Sequence, residues 1–134
     1  MRISDVAKKA GVGVETIRFY ERKNLIEQPR KPVNGGFRSY PDAAVSRIKF
    51  VLKAQNLGFS LKEIRDLLSL RTEPSTDCAE IRELAARKRH EVTAKIVQLN
   101  RIRDALEAVI ASCPGGGSIR ACSIIEEMEK GNGA

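Results

Sequence analysis

The fold of this chain is decided by residues 77–113, which read DCAEIRELAARKRHEVTAKIVQLNRIRDALEAVIASC. Neither glycine nor proline interrupts this stretch, and its apolar residues recur in steps of three and four, as on one face of a long amphipathic helix. The stripe consists of Ile81, Leu84, Val92, Ile96, Leu99, Ile102, Leu106, Val109 and Ile110. The pattern therefore predicts a single long helix over residues 77–112.

Both ends of this helix carry recognisable start and stop signals. Asp77 is a good N-cap residue, and Glu80 stands three positions later, as a capping box requires. Pro114 and Gly115 follow the last apolar residues, and we expect them to stop the helix.

A cysteine lies at each end of the predicted helix. Cys78 and Cys113 are separated by 35 residues, which is five heptads, so both lie near the apolar stripe. At a rise of about 1.5 Å per residue their helix positions are roughly 50 Å apart, too far to meet within one chain. Two copies packed antiparallel would bring Cys78 of one chain beside Cys113 of the other.

Composition restricts the classes of protein to consider. The chain has 134 residues and 42% hydrophobic residues, enough for one small domain with an appendage. Its apolar runs are too short to span a membrane or to form a signal peptide, so we expect a cytoplasmic protein. Three cysteines, an odd number, in a reducing cytosol favour free thiols or metal ligands over disulfides.

The excess of positive over negative charge lies entirely in the first half of the chain. Residues 1–70 hold 14 Lys/Arg and 7 Asp/Glu, a net of +7, whereas residues 71–134 hold 10 of each. This asymmetry favours a polyanionic partner for the first half, although a merely soluble basic surface would give the same count.

Two short helices open the chain. Ile3–Ala10 is amphipathic, with Ser4 as a possible cap, and Gly11 ends it. A second helix is predicted from about residue 14 to 23, a spacing typical of a helix-turn-helix and also of an ordinary helical hairpin. In the first case Thr16 and Arg18 would reach base edges or phosphates in the major groove.

A basic hairpin is predicted directly after these helices. Residues 29–36 form a loop with an Asn34-Gly35 turn signal, and residues 37–40 are the predicted returning strand. This two-stranded wing would carry Lys31, Arg38 and the Tyr40 hydroxyl toward phosphates. Helices are then predicted over residues 41–56 and 60–70, the second opened by a Ser60–Glu63 capping box.

The runs IRFYERKNLI, NGGFRSY and LGFSLKEI, followed by a long helix, resemble the MerR family of winged-helix transcription regulators, and the likeness covers nearly the whole chain. It implies a mainly α fold: a winged helix-turn-helix DNA-binding domain over 1–70, an antiparallel coiled-coil dimerisation helix over 77–112, and a metal-binding loop with a short helix over 113–134. Gly13 departs slightly from the Ser cap that the family often has there, but glycine is a tolerable N-cap.

The resemblance also implies a mode of action. A homodimer would bind a palindromic promoter operator with an overlong spacer, hold it inactive, and bend and untwist the DNA for RNA polymerase once the effector binds. The family's DNA contacts match Thr16, Arg18, Tyr20, Lys31, Arg38 and Tyr40 of this chain. A regulator of this kind is not an enzyme.

The expected effector site consists of Cys78, Cys113 and Cys122, the last just before a short helix that Ser123 and Glu126 are expected to cap. Cys78 and Cys122 lie at predicted helix N-termini, which favour thiolates. Three thiolates without an oxygen or nitrogen donor favour a soft ion over zinc. The spacing resembles that of the mercury-sensing branch, which implies Hg(II) shared between two chains.

Other functions remain open from the sequence. Pb(II) or Cd(II) sensors have a similar triad, and Zn(II) is a weaker alternative. His90, the only histidine, is expected to be a plain surface or seam residue. An architectural DNA-binding protein without an effector would also fit the first half. A thiol redox enzyme is disfavoured, because the sequence offers neither a CxxC pair nor a base beside a cysteine.

Overall fold

The computed structural model describes residues 1–113, 115–117, 119 and 122–130. In this part of the chain the secondary structure is helical and no strand is assigned, which confirms the mainly α class. The helices are α1 (Ile3–Ala10), α2 (Val14–Arg22), α3 (Ala43–Asn56), α4 (Leu61–Thr72), α5 (Cys78–Ala111) and α6 (Ser123–Glu129). None of the described helices is both long and apolar enough to cross a bilayer.

Contacts divide the chain into two units, Met1–Lys88 and the residues from Arg89 onward. The predicted domain limits at residues 70, 77 and 113 stay a prediction. In the N-terminal unit, α1 packs on α2 and α3, and α3 packs on α4. The largest side chains with essentially no solvent contact are Tyr20, Ile17, Leu25, Ile48, Ile64, Val6 and Val51. One core thus joins the first four helices and holds α2 in place.

Local capping explains most of the helix ends. The Ser60 hydroxyl accepts the backbone N–H of Glu63 at 3.2 Å, and the Glu63 carboxylate accepts that of Ser60 at 2.7 Å, so the predicted capping box is confirmed. Gly11 ends α1 with a φ of 74°, the left-handed conformation that favours glycine. The cap of α1 is Arg2 rather than Ser4, which lies inside the helix.

The two-stranded wing is not seen. Residues 29–40, all of them described, contain no strand, and the segment is a loop. Its turn is closed by Gly35 N–H donating to the Pro32 carbonyl at 3.1 Å. Two prolines, Pro29 and Pro32, lack the N–H group that a strand ladder needs. The returning end pairs elsewhere: Tyr40 N–H donates to the Met1 carbonyl at 2.7 Å.

The long helix α5 has the predicted extent but not a buried face. The Asp77 carboxylate accepts the backbone N–H of Ala79 at 2.8 Å and so caps its start. Ile81 and Leu84 pack against the core of the N-terminal unit. The helix ends at Ala111, and Pro114, the expected stop, lies outside the described residues. On the part of the helix from Arg89 onward, the large exposed apolar residues are Val92, Ile96, Val97, Leu99, Ile102, Leu106 and Ile110.

Candidate nucleic-acid interface and metal site

Helix α2 presents polar side chains on the face away from the core. Arg18 is exposed, and its guanidinium donates to the Glu15 carboxylate at 3.2 Å on the same face. Thr16 is half-buried in the first turn, where its backbone N–H donates to the Gly13 carbonyl at 3.1 Å. The exposed pair of charges is too solvated to contribute much to stability, so the Arg18 side chain can exchange Glu15 for a phosphate or a base edge.

Tyr20, which the family likeness matches to a DNA contact, lies in the core. The side chain is buried, and its hydroxyl donates to the Gln55 amide oxygen at 2.6 Å, across to α3. Burial raises the pKa of this phenol above its ordinary value of 10.0. The structure thus places the Tyr20 hydroxyl between α2 and α3, where it fixes the helix rather than facing outward.

The C-terminal end of α2 is fixed by α4. The guanidinium of Arg65 donates two hydrogen bonds, at 3.1 and 2.9 Å, to the carbonyl of Lys23. The next residue, Asn24, turns the chain away with a φ of 58°, a conformation that asparagine tolerates better than most residues. Together with the Tyr20 bond, these contacts set the orientation of α2 on the scaffold.

Four predicted contact residues line one open cleft. Arg18 comes from α2, and Lys31, Arg38 and Tyr40 come from the 29–40 loop. The same cleft includes Arg2, which the sequence did not single out and whose guanidinium lies 4.1 Å from the ring centre of Phe37. The structure therefore concentrates cations from three separate segments at a single surface.

Tyr40 is held from both sides of this cleft. Its hydroxyl donates to the Glu21 carboxylate at 2.7 Å, and its carbonyl accepts the Met1 amine at 3.1 Å. Burial, followed by the hydrogen bond to Glu21, raises the pKa of Tyr40 to about 12, against the opposing effect of Arg38 and Arg18. The phenol is therefore neutral at physiological pH, and its hydroxyl donates a hydrogen bond to the Glu21 carboxylate. The sequence had not indicated Glu21 at all.

Two of the three predicted metal ligands are neighbours in the C-terminal unit. The pKa of the Cys122 thiol is lowered, most by the backbone N–H groups of Ile125 and Ile124, against a smaller effect of lost solvation. A hydrogen bond between the Cys122 and Cys113 side chains lowers it further. The Cys113 sulfur also accepts the backbone N–H of Gly115 at 3.5 Å. This arrangement places two soft donors side by side, and the pKa of one of them is lowered.

The cap of α6 differs from the expected one. Because the Cys122 sulfur accepts the N–H groups at the start of α6, Cys122 occupies the position predicted for Ser123. The Ser123 hydroxyl instead donates to the Ser112 carbonyl, just past the end of α5. This bond spans eleven residues and closes the loop that carries both thiols.

Cys78 differs from this pair in its surroundings. It is the first residue of α5, it is exposed, and it belongs to the N-terminal unit, whereas Cys113 and Cys122 belong to the other. Within the described residues of one chain, no three His, Cys, Asp or Glu side chains come together as a metal site. His90 is exposed on α5. Among the described residues, the soft donors seen in contact are the thiols of Cys113 and Cys122.

Comparisons with known proteins identify the family that this chain resembles. Residues 1–70 match the family described as MerR HTH family regulatory protein, and residues 45–109 match the one described as MerR, DNA binding. The chain is 42% identical to the mercuric resistance operon regulatory protein of Pseudomonas fluorescens over 131 residues, which cover 98% of this chain and 89% of that protein.

Two solved structures are also similar. The transcription regulator PbrR691 of Ralstonia metallidurans CH34, in complex with lead(II), has a TM-score of 0.85 and 32% identity, covering 96% of this chain and 98% of that one. The dual function regulator MerR of Bacillus megaterium MB1, in complex with mercury(II), has a TM-score of 0.71 and 34% identity, covering 96% and 99%. This chain belongs to the MerR family of helix-turn-helix transcription regulators.

Proposed function

We propose that this chain is a metal-responsive regulator that represses a mercury-resistance operon without metal and activates it when Hg(II) binds Cys78, Cys113 and Cys122. The observation that carries the proposal is the contact between the Cys113 and Cys122 thiols, with the Cys122 pKa lowered by the start of α6. A pair of neighbouring thiols, one with a lowered pKa, favours a soft cation over a hard one.

Mercury is favoured among the soft ions by the donor set and by the similarity to a mercuric resistance regulator. Hg(II) accepts two or three thiolates without needing oxygen or nitrogen donors. Pb(II) and Cd(II) are the alternatives, and the similarity to a lead-bound regulator supports Pb(II) specifically. Zn(II) fits less well, because it prefers four ligands and the described residues bring no fourth donor to the thiol pair.

The third thiolate is proposed to come from a second copy of the chain. The apolar stripe of α5 is exposed from Val92 to Ile110, as expected of a seam that another helix covers. Because Cys78 and Cys113 are five heptads apart on that stripe, an antiparallel pair places Cys78 of each chain beside the Cys113–Cys122 pair of the other. The homodimer then holds two metal sites, each built from both chains.

DNA is proposed to bind across the basic cleft. Thr16 and Arg18 would enter the major groove from α2, and Lys31 and Arg38 would hold phosphates from the loop. Tyr40 lines the cleft but donates its hydroxyl proton to Glu21, and Tyr20 is buried, so their proposed part is to support this surface. The dimer would act in the cytoplasm on a palindromic promoter, distorting it so that RNA polymerase can start.

Reporter induction tests this function. A strain carrying the regulator and its own promoter is exposed to Hg, Pb, Cd, Zn and Cu salts, with wild type compared with Cys78→Ala, Cys122→Ala and His90→Ala. We expect Hg(II) to induce most, both cysteine variants to lose induction while still binding DNA, and His90→Ala to behave as wild type. Full induction of Cys78→Ala would refute the three-thiolate site, and a stronger response to lead would reassign the metal.

Mixing two inactive variants tests whether the site is shared. Cys78→Ala and Cys122→Ala homodimers each lack one ligand at both sites. In a mixed dimer, however, Cys78 of the second chain meets the intact Cys113 and Cys122 of the first, which restores one site. We expect the mixture to show the charge-transfer absorption of mercury bound by three thiolates, with one such Hg(II) per mixed dimer. Neither homodimer should show it, although the Cys113–Cys122 pair that remains in Cys78→Ala can bind Hg(II) through two thiolates. If each site were formed within one chain, mixing would restore none.

A further inference from the structure

Glu21 contacts both ends of the loop that carries the cations of the cleft. At the far end its carboxylate accepts the Tyr40 hydroxyl at 2.7 Å, and at the near end it accepts the Gln28 side-chain amide at 3.5 Å. Glu21 itself lies in the last turn of α2, directly after the buried Tyr20. One carboxylate on the predicted recognition helix therefore joins both ends of the 28–40 segment to that helix.

The loop depends on such contacts because it lacks a strand ladder. A two-stranded wing would hold its own shape through repeated backbone bonds, but residues 29–40 contain no strand. The contacts that hold its returning end are the Met1–Tyr40 backbone pair, the Arg2–Phe37 contact and the Tyr40–Glu21 bond. Of these three, the last is the hydrogen bond to α2; the Tyr40 ring is also buried in the core that contains Ile17 and Tyr20 of α2.

The charge of Glu21 opposes the function proposed for its surroundings. The cleft that it lines also contains Arg2, Arg18, Lys31 and Arg38, the side chains proposed to attract phosphates. A carboxylate among them lowers the positive potential and by itself weakens binding of a polyanion. Its two hydrogen bonds, in contrast, set the distance between Arg18 on α2 and the loop cations.

We propose that Glu21 is a positioning residue for DNA recognition, which fixes the 28–40 loop to α2 so that Arg18, Lys31 and Arg38 meet one DNA site together. This inference rests on the proposed DNA-binding function. It makes a prediction opposite to that of simple electrostatics: replacing Glu21 by alanine, which removes the hydrogen-bond acceptor, weakens specific binding, although it adds net positive charge.

The test compares two duplexes and four variants. The specific probe is the duplex that the wild-type protein enriches most strongly from a random-sequence pool, and the other probe is the same duplex scrambled. The variants are Glu21→Ala, Glu21→Gln, Tyr40→Phe and the control Glu27→Ala, which removes an exposed carboxylate beside the loop without touching Tyr40. Circular dichroism and the unfolding midpoint verify that each variant is folded.

For Glu21→Ala and Tyr40→Phe we expect about a tenfold loss of affinity for the enriched duplex and no loss for the scrambled one, since phosphate attraction is intact. A further variant that combines Glu21→Ala with Tyr40→Phe should lose no more than Glu21→Ala alone, because Glu21→Ala already removes the bond from Tyr40. Glu21→Gln should keep most of the affinity, since its amide oxygen still accepts the Tyr40 hydroxyl. If Glu21→Ala and Glu21→Gln both bind the enriched duplex more tightly, as Glu27→Ala is expected to, the proposal is wrong.

Tryptic cleavage after Arg30 and Arg38 reports on the loop without DNA. We expect Glu21→Ala and Tyr40→Phe to be cut about tenfold faster at these bonds than the wild type, and Glu21→Gln at nearly the wild-type rate. Unchanged cleavage in Glu21→Ala refutes the tie between the loop and α2. Failure of the wild type to enrich any duplex would instead refute the proposed function, and the cleavage rates would still decide the role of Glu21.

Discussion

The core of the N-terminal unit and the stripe of α5 are built from the same kinds of residues, yet they differ in what surrounds them. Ile48, Val51 and Ile64 have no solvent contact within a single chain. Leu99, Leu106 and Ile110 on α5 are 63%, 56% and 63% exposed. Residues of equal hydrophobicity are thus fully covered in one region and open to water in the other.

This difference separates a core that a single chain completes from an apolar helix face that a single chain leaves exposed. The first four helices bury their apolar faces against one another, so one chain is sufficient for that core. The helix α5 from Arg89 onward has its apolar periodicity, but no described residue of its own unit covers the exposed side chains from Val92 to Ile110. Apolar side chains at helical spacing that stay exposed in one chain are expected to stabilise an assembly rather than the monomer fold.

The largest effect is expected in the core. Ile48→Ala removes a fully buried side chain and should lower the free energy of unfolding by about 2–5 kcal/mol, as other large-to-small core changes do. Urea unfolding followed by circular dichroism measures it, and the loss should be the same at low and high protein concentration. Val33→Ala, at a fully exposed position, is the control and should change stability by less than about 0.5 kcal/mol. Equal losses of unfolding free energy in Ile48→Ala and Val33→Ala would show that burial does not distinguish the two positions.

A smaller effect is expected on the stripe. Leu99→Lys places a charge in the proposed seam and should raise the dimer dissociation constant about 100-fold or more, since one apolar contact is lost from each chain. Val97→Lys is the matched control: Val97 is also apolar and exposed, but two positions away it faces the other side of the helix. Sedimentation equilibrium measures the dimer dissociation constants of Leu99→Lys and Val97→Lys. If Val97→Lys dissociates the dimer equally, the stripe is not the seam.

The smallest effect concerns a charge at the edge of the core. Lys88 lies 2.8 Å from the Glu63 carboxylate, and this contact, with the Ser60 backbone, lowers the pKa of Glu63 from 4.5 to about 2. Because the pKa is lower in the folded state, the stabilisation is complete above about pH 4.5 and is lost as the pH falls toward 2. Glu63→Gln should therefore cost about 1 kcal/mol at pH 7 and almost nothing at pH 2.

Urea unfolding at a series of pH values measures the Glu63 effect. Asp66→Asn, on the exposed side of the same helix, controls for the loss of one negative charge. A wild-type minus Glu63→Gln difference that does not shrink on acidification would show that the carboxylate charge is not what stabilises this helix start.

Features that depend on near neighbours in the chain were predictable. The Ser60–Glu63 box, the Gly11 stop and the Asp77 cap each involve residues a few positions apart, so sequence alone indicates the bond. The length of α5 follows for the same reason, because its periodicity is unbroken. Membership of the MerR family was also predictable, because its motifs are contiguous runs.

Features that depend on distant partners were not predictable. Tyr20 bonds Gln55, which is 35 residues away, and Tyr40 bonds Met1, which is 39 residues away. Nothing local distinguishes a tyrosine that reaches out to a phosphate from one whose hydroxyl is used inside. The expected wing is not seen in the described residues 29–40: Asn34-Gly35 predicts a turn, but a strand ladder also needs N–H donors, which Pro29 and Pro32 lack.

The candidate metal site has one feature that the sequence predicted and one that it did not. The spacing of Cys113 and Cys122 in a loop indicated that they could approach, and the structure places them in hydrogen-bond contact. The sequence predicted Ser123 as the cap of α6, since serine is a better N-cap than cysteine on average. The Ser112 carbonyl, eleven residues earlier, takes the Ser123 hydroxyl and leaves the cap to the Cys122 sulfur.

That sulfur cap has a consequence for how quickly a bound ion could leave. The N–H groups of Ile124 and Ile125 draw electron density from the Cys122 sulfur, which makes it a weaker donor than a free thiolate. A weaker bond to one ligand would ease exchange of a bound ion with competing thiols. A regulator built in this way would respond to a falling metal concentration as well as to a rising one, because its ion would not be kinetically trapped.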